Sequence, residues 1–204
     1  MDTKKLIKEN DAFIFGFDNV LYPEKDFFLQ VYYLFGQFVE YSEQTDAKEI
    51  LNFMQQTYAE QGHEKIFEKT ASHFGIPEKY KLNFDLLQRN VKLPLKLFLY
   101  EPCLAFLKTI VAASKPIFLL VPGSPEAQLN KIRQVDWQGL EQYLTVYFSE
   151  EIDAGSGDLG LTYLIDHHQL KGKNLLLVLG GDDAAFTVPD TILTYLSVDR
   201  LFLT

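Results

Sequence analysis

The chain has 204 residues, 47% of them hydrophobic and 23% charged, which suits one core domain or one core with a small inserted domain. Its formal net charge of -9 excludes a nucleic-acid surface, because phosphate neutralisation needs clustered Lys and Arg; a small anionic ligand in a local pocket is still allowed. A single cysteine, Cys103, cannot form an internal disulfide, and no apolar run has the length of a signal peptide core or a membrane span, so no membrane is expected and the expected setting is the cytoplasm.

The first apolar run, "AFIFGF" (Ala12 to Phe17), ends on Asp18 and Asn19. A continuous apolar run with turn residues behind it predicts a strand buried on both faces of a parallel sheet. From Pro23 to about Tyr100 no strand-like run occurs. The segments "DFFLQVYYLFGQFVEYSE", "DAKEILNFMQQTYAE" and "EKIFEKTASHFG" predict consecutive amphipathic helices there, and the aromatic stripe of the first is its expected packing face.

Alternation then begins. The helical segment "EPCLAFLKTIVAAS" leads into a strand, "PIFLLV" (Pro116 to Val121), and "SPEAQLNKIRQV" into "LTVYFS" (Leu144 to Ser149). "GLTYLIDHHQL" precedes "NLLLVLG" (Asn174 to Gly180), and "TILTYLS" (Thr191 to Ser197) follows. This order predicts a doubly wound α/β core with a parallel sheet, formed by residues 1-22 and 101-204 and interrupted by an all-helical insert at 23-100. Open α/β sheets bind ligands outside the carboxyl ends of their strands, which such an insert would roof.

A strand, then "FDNVLYP", then a helical insert, then a second strand and "GSPEAQLNKI" together resemble the haloacid dehalogenase superfamily with a helical cap of the first type. The wording "DNVLYP" is similar to its pyrimidine nucleotidase-like and phosphoglycolate phosphatase-like branch. The resemblance implies an aspartyl-phosphate mechanism, in which one carboxylate attacks phosphorus and a second, two residues later, serves as acid and base. It further implies Mg²⁺ held by the nucleophile and by acids after a later strand, with a Ser or Thr and a Lys on the phosphoryl oxygens.

Laid onto this chain, the nucleophile falls on Gly16, which has no side chain, and the acid/base on Asp18. The Ser or Thr falls on Val121 and the Lys on Gly157. The metal acids fall on Asp182 and Asp183; an alternative register puts Gly181 at the aspartate and Phe186 or Thr187 at the downstream acid. Three chemical positions are thus vacant at once, and Mg²⁺ loses a ligand with the nucleophile. The expectation is a haloacid dehalogenase-like protein without phosphoryl transfer that binds a small phosphorylated or other anionic ligand or a protein partner. A divergent Mg²⁺-dependent phosphatase, or an interaction protein pairing with itself or a homologue, are the other readings.

Gly123, Ser124 and Asn19 are the candidate ligand- or phosphate-binding residues, since Ser124 and Pro125 open a helix whose free amides attract anions. Asp18 is expected to cap its turn, ahead of serving as a functional acid. His167 and His168 adjoin on a helix and point apart, while His63 and His73 have no ligand spacing and are expected at the surface. Cys103, ahead of a helix, is expected as a buried thiol.

Overall fold

A computed structural model of the chain describes residues 3–153, 155, 157–180, 188 and 191–202. The main elements begin with α1 (Thr3–Glu9), β1 (Ala12–Phe15), α2 (Glu24–Glu43), α3 (Ala47–Gln61), α4 (Ile66–Phe74) and α5 (Lys81–Asn90). They continue with α6 (Glu101–Ala112), β2 (Ile117–Val121), α7 (Pro125–Gln134), β3 (Leu144–Phe148) and α8 (Ser149–Ile152). Last come α9 (Leu161–His167), β4 (Asn174–Leu179), β5 (Ile192–Ser197) and α10 (Val198–Phe202). The chain divides into an α/β unit (Met1–Pro23, Phe98–Gln128, Val135–Thr204) and a helical unit (Glu24–Leu97, Leu129–Gln134).

In the α/β unit the five strands pair in parallel in the order β3-β2-β1-β4-β5. Every residue of β1, β2 and the middle of β4 is buried, which is why these strands read as unbroken apolar runs and not as alternating ones. Ala12 and Ile14 share one face with Phe118, Leu120, Leu175 and Leu177, packed on Leu161, Leu164 and Ile165 of α9. Phe13 and Phe15 face the other way, with ring centroids 5.7 Å and 6.0 Å from Phe106 of α6. Helices therefore cover both faces, and the expected doubly wound α/β layer is what forms. The first strand stops at Phe15, two residues short of the apolar run, although the Gly16 amide still donates to the Val178 carbonyl at 2.9 Å.

In the helical unit α2 buries Phe27, Phe28, Val31, Tyr32, Phe35, Gly36 and Val39, the three- and four-residue spacing of one helix face. Gly36 has a packing reason: a Cβ there would stand 3.0 Å from the Ala47 carbonyl oxygen. The start of α3 is capped by Asp46, which accepts from the amides of Lys48 (2.7 Å) and Glu49 (3.2 Å). The stretch expected to hold no strand does contain a two-residue one, Leu97–Phe98.

Two expectations need correction. His63 is not a surface group. Its Nε2 lies 2.8 Å from Gln88 Oε1 and its Nδ1 2.8 Å from the Tyr32 hydroxyl, and its ring stacks on Phe28 at 3.8 Å. Cys103 is the third residue of α6 and does not precede it; it is buried as expected, its thiol donates to the Val20 carbonyl at 3.2 Å, and burial pushes its pKa up to about 12. His73 is exposed and stacks on Phe53 at 4.3 Å. Among the described residues no helix is long and apolar enough to cross a membrane.

Candidate functional site

Five parallel strands bring their carboxyl ends to one edge, and the loop leaving β1 shapes the site there. Its amides are consumed by backbone carbonyls: Val20 and Leu21 donate to Phe17 at 3.2 Å and 3.0 Å, and Asn19 donates to Tyr22 at 3.1 Å. Asn19 makes the tight bend with a φ of 58°, a left-handed conformation that asparagine tolerates better than most residues.

The Asp18 side chain takes donors from beyond the turn's amides. Its Oδ1 accepts from the Tyr22 hydroxyl at 2.5 Å and its Oδ2 from Gln128 Nε2 at 2.7 Å. Gln128 is 8% exposed, and the same nitrogen donates to the Pro122 carbonyl at 2.9 Å. Because both neighbours are acceptors, the amide nitrogen must face them, and Gln128 Oε1 is left buried without a hydrogen-bond partner.

At Gly16 an added Cβ would stand 3.1 Å from both Leu179 Cδ2 and Val20 Cγ2. A side chain in the nucleophile position would therefore be tight, with the Leu179 and Val20 methyl groups having to give way for it. Val121 is fully buried, and Pro122 and Ser124 are exposed. Gly123 has a φ of +92°, and a Cβ on it would lie 3.4 Å from Gln128 Nε2. The Ser124 carbonyl accepts from the Gln128 amide at 3.0 Å. Gly157 lies exposed in the loop before α9 with a φ of 73°.

A cavity of about 510 Å³ opens at this edge, wholly within the α/β unit. Gly16, Asp18 and Asn19 line it, together with Leu159, Leu179 and Asp199; among the described residues Gly123 and Ser124 do not. Gly181, Asp182, Asp183, Phe186 and Thr187 lie outside the described residues. Tyr22, Gln128 and Asp199 were not singled out from the sequence. Asp199 had a usable signal, since it follows β5 as Asp18 follows β1: an acid just past an apolar run.

The described residues do not make a Mg²⁺ centre. No three His, Cys, Asp or Glu side chains come together among them, and Mg²⁺ wants an octahedron of oxygens. The adjoining histidines do diverge, with ring planes 82° apart. His168 Nε2 lies 2.8 Å from the Tyr147 hydroxyl and the ring packs on Phe118 at 4.4 Å; burial, then the neighbouring His167, lowers its pKa. His167 stacks on Tyr163 at 5.6 Å.

No family model matches the chain, and no curated protein matches it by sequence. Solved structures do resemble it. The L-2-haloacid dehalogenase PA0810 overlays with a TM-score of 0.50 at 15% identity, over 83% of this chain and 76% of that one. A dehalogenase solved with an intermediate complex overlays with a TM-score of 0.52 at 9% identity, over 96% and 95%. With the sheet order and the helices on both of its faces, these overlays show that the chain has the haloacid dehalogenase-like fold.

Proposed function

We propose that the chain is a haloacid dehalogenase-like protein that has lost phosphoryl transfer and works by binding, with the cavity at the carboxyl edge of the sheet as its ligand site. In this reading the helical unit serves as the cap that its place in the sequence implies, and the protein acts in the cytoplasm. What supports the reading is the packing at Gly16, where Val20 and Leu179 each stand 3.1 Å from the position of a Cβ. Without an attacking carboxylate no aspartyl-phosphate forms at that position. Val121 and Gly157 offer neither the hydroxyl nor the ammonium that would hold a phosphoryl group.

The alternative is a divergent Mg²⁺-dependent phosphatase acting on a small ester, such as a nucleotide or sugar phosphate, through Asp18 with Asp182 or Asp183. The missing nucleophile at Gly16 and the missing hydroxyl at Val121 count against it. An interaction role for the helical unit, including pairing between copies, draws on exposed apolar groups such as Leu82 at 66% and Tyr41 at 91%.

The test is an assay of the purified chain with Mg²⁺ against aryl, nucleoside and sugar phosphates. Hydrolysis is expected to equal a buffer blank, and Gly16→Asp is expected to leave it there because the phosphoryl oxygens still lack support. Turnover by the native chain, or a working phosphatase made by that one change, refutes the reading.

A further inference from the structure

We propose that the cavity takes a small organic cation, an ammonium group on an apolar body, and not the phosphorylated or other anionic ligand that the resemblance implies. This rests on the reading of that cavity as the ligand site. Its walls are largely apolar, with Phe17, Val20, Leu120, Leu159, Leu179 and Val198 among them, and its charged lining residues are the carboxylates Asp18 and Asp199. No lysine or arginine is among its described lining residues.

The chain's topology extends this asymmetry beyond the wall itself. Among the described residues, the segments leaving the carboxyl ends of β1 to β3, 16–23, 122–124, 149–153 and 157–160, carry Asp18, Glu150, Glu151, Asp153 and Asp158 and no lysine or arginine. After β5, residues 198–204 add Asp199 with one base, Arg200. Lysines lie toward the opposite edge: Lys115 precedes β2, and Lys171 and Lys173 precede β4.

An acidic edge alone would be only a solvated surface. Here two of its carboxylates, Asp18 and Asp199, line a recess of about 510 Å³, within the range of about 300–1,000 Å³ usual for small-molecule sites, and low-dielectric walls focus their field into it. A phosphate entering there meets like charge and, among the described lining residues, no lysine or arginine. A bare divalent metal meets too few oxygens, since the walls are mostly hydrocarbon and no three-ligand set exists among the described residues. An alkyl- or arylammonium matches both properties, its body against the apolar walls and its charge toward Asp18 and Asp199.

The experiment titrates the isotope-labelled full chain separately with phenethylammonium, phenethyl alcohol, phenyl phosphate and magnesium chloride, following backbone amide shifts. Phenethylammonium is expected to shift Gly16, Asn19, Val20 and Gly180 saturably and to bind about tenfold tighter than the alcohol or the phosphate. Asp199→Asn should weaken the ammonium about fivefold while leaving the alcohol unchanged, which also reports that the variant is folded. Raising salt to about 0.5 M should weaken the ammonium alone. Phenyl phosphate binding as tightly as the ammonium overturns the proposal, as does Mg²⁺ displacing the ammonium from those amides, or none of the four probes shifting them. Phosphatase turnover would instead refute the loss of catalysis and leave the preference for cations standing, so the two failures are separable.

Discussion

Tyr22 sits four residues after Asp18, fully buried, with its ring 4.8 Å from Phe17 and its hydroxyl on the Asp18 carboxylate. The ring contributes by packing and the hydroxyl by one charge-assisted hydrogen bond, so Tyr22→Phe separates the two. That bond is worth about 1.5 kcal/mol where the acceptor is charged and partly solvated. The variant should unfold at a lower urea concentration with an unchanged m-value; an unmoved midpoint would mean that the hydroxyl contributes nothing. This residue-scale site was half legible in the sequence. Gly16 and Asp18 announce themselves because both lie at the exit of one apolar run. Gln128 does not, because its partner is 110 positions away in the chain and nothing in a helix's own periodicity says which polar side chain will be buried.

At the scale of elements, strands were legible wherever burial on both faces writes an unbroken apolar run, and their ends were not. The residue that ends β1 is chosen by the turn that Asn19 makes, not by hydropathy. His63 shows a different kind of loss: lacking a ligand spacing it reads as a surface group, yet four helices of the helical unit enclose it. Tyr32 and Phe28 face it from α2, Glu68 from α4, Gln88 and Lys81 from α5, and Lys131 from α7. Gln88 Oε1 can only accept, so Nε2 carries the proton and Nδ1 accepts from the Tyr32 hydroxyl. Burial first, then the charges of Lys131 and Lys81, holds the His63 pKa below its ordinary 6.5, against raising contributions from Gln88 and Glu68. The unfolded chain therefore binds the proton at a higher pH than the folded one. Stability attributable to His63 is complete above pH 6.5 and falls as the pH drops from there toward the lower folded value. Urea midpoints measured between about pH 7.5 and 5.5 should fall with acidity in the native chain and fall less in His63→Gln. Parallel falls in the two proteins would remove His63 as the cause.

For the whole molecule, chain order and spatial grouping part company at α7. Its first turn belongs to the α/β unit and Leu129–Gln134 to the helical unit, although the sequence presents one amphipathic segment of the alternating core. The reason is polar and tertiary. Asn130 Nδ2 and Gln134 Nε2 each donate to the Val91 carbonyl at 3.0 Å, and Gln134 Oε1 accepts from the Leu93 amide at 2.5 Å. Lys131 Nζ lies 2.9 Å from Glu24 Oε1 and about as close to two rings as a cation needs to be, 5.0 Å from Phe27 and 5.4 Å from Phe28. Its side chain is 8% exposed and that of Glu24 21%, so the pair is shielded enough for its loss to matter. Lys131→Met keeps the stem against the aromatic rings and deletes the charge, at a cost of about 2–3 kcal/mol. Hydrogen exchange can read each unit separately. The amides of α2 should lose protection in this variant while those of β1 and β4 keep theirs, because Lys131 completes the helical unit from a distant part of the chain. Equal loss in β1, or none in α2, would show that the ion pair does not hold that unit together.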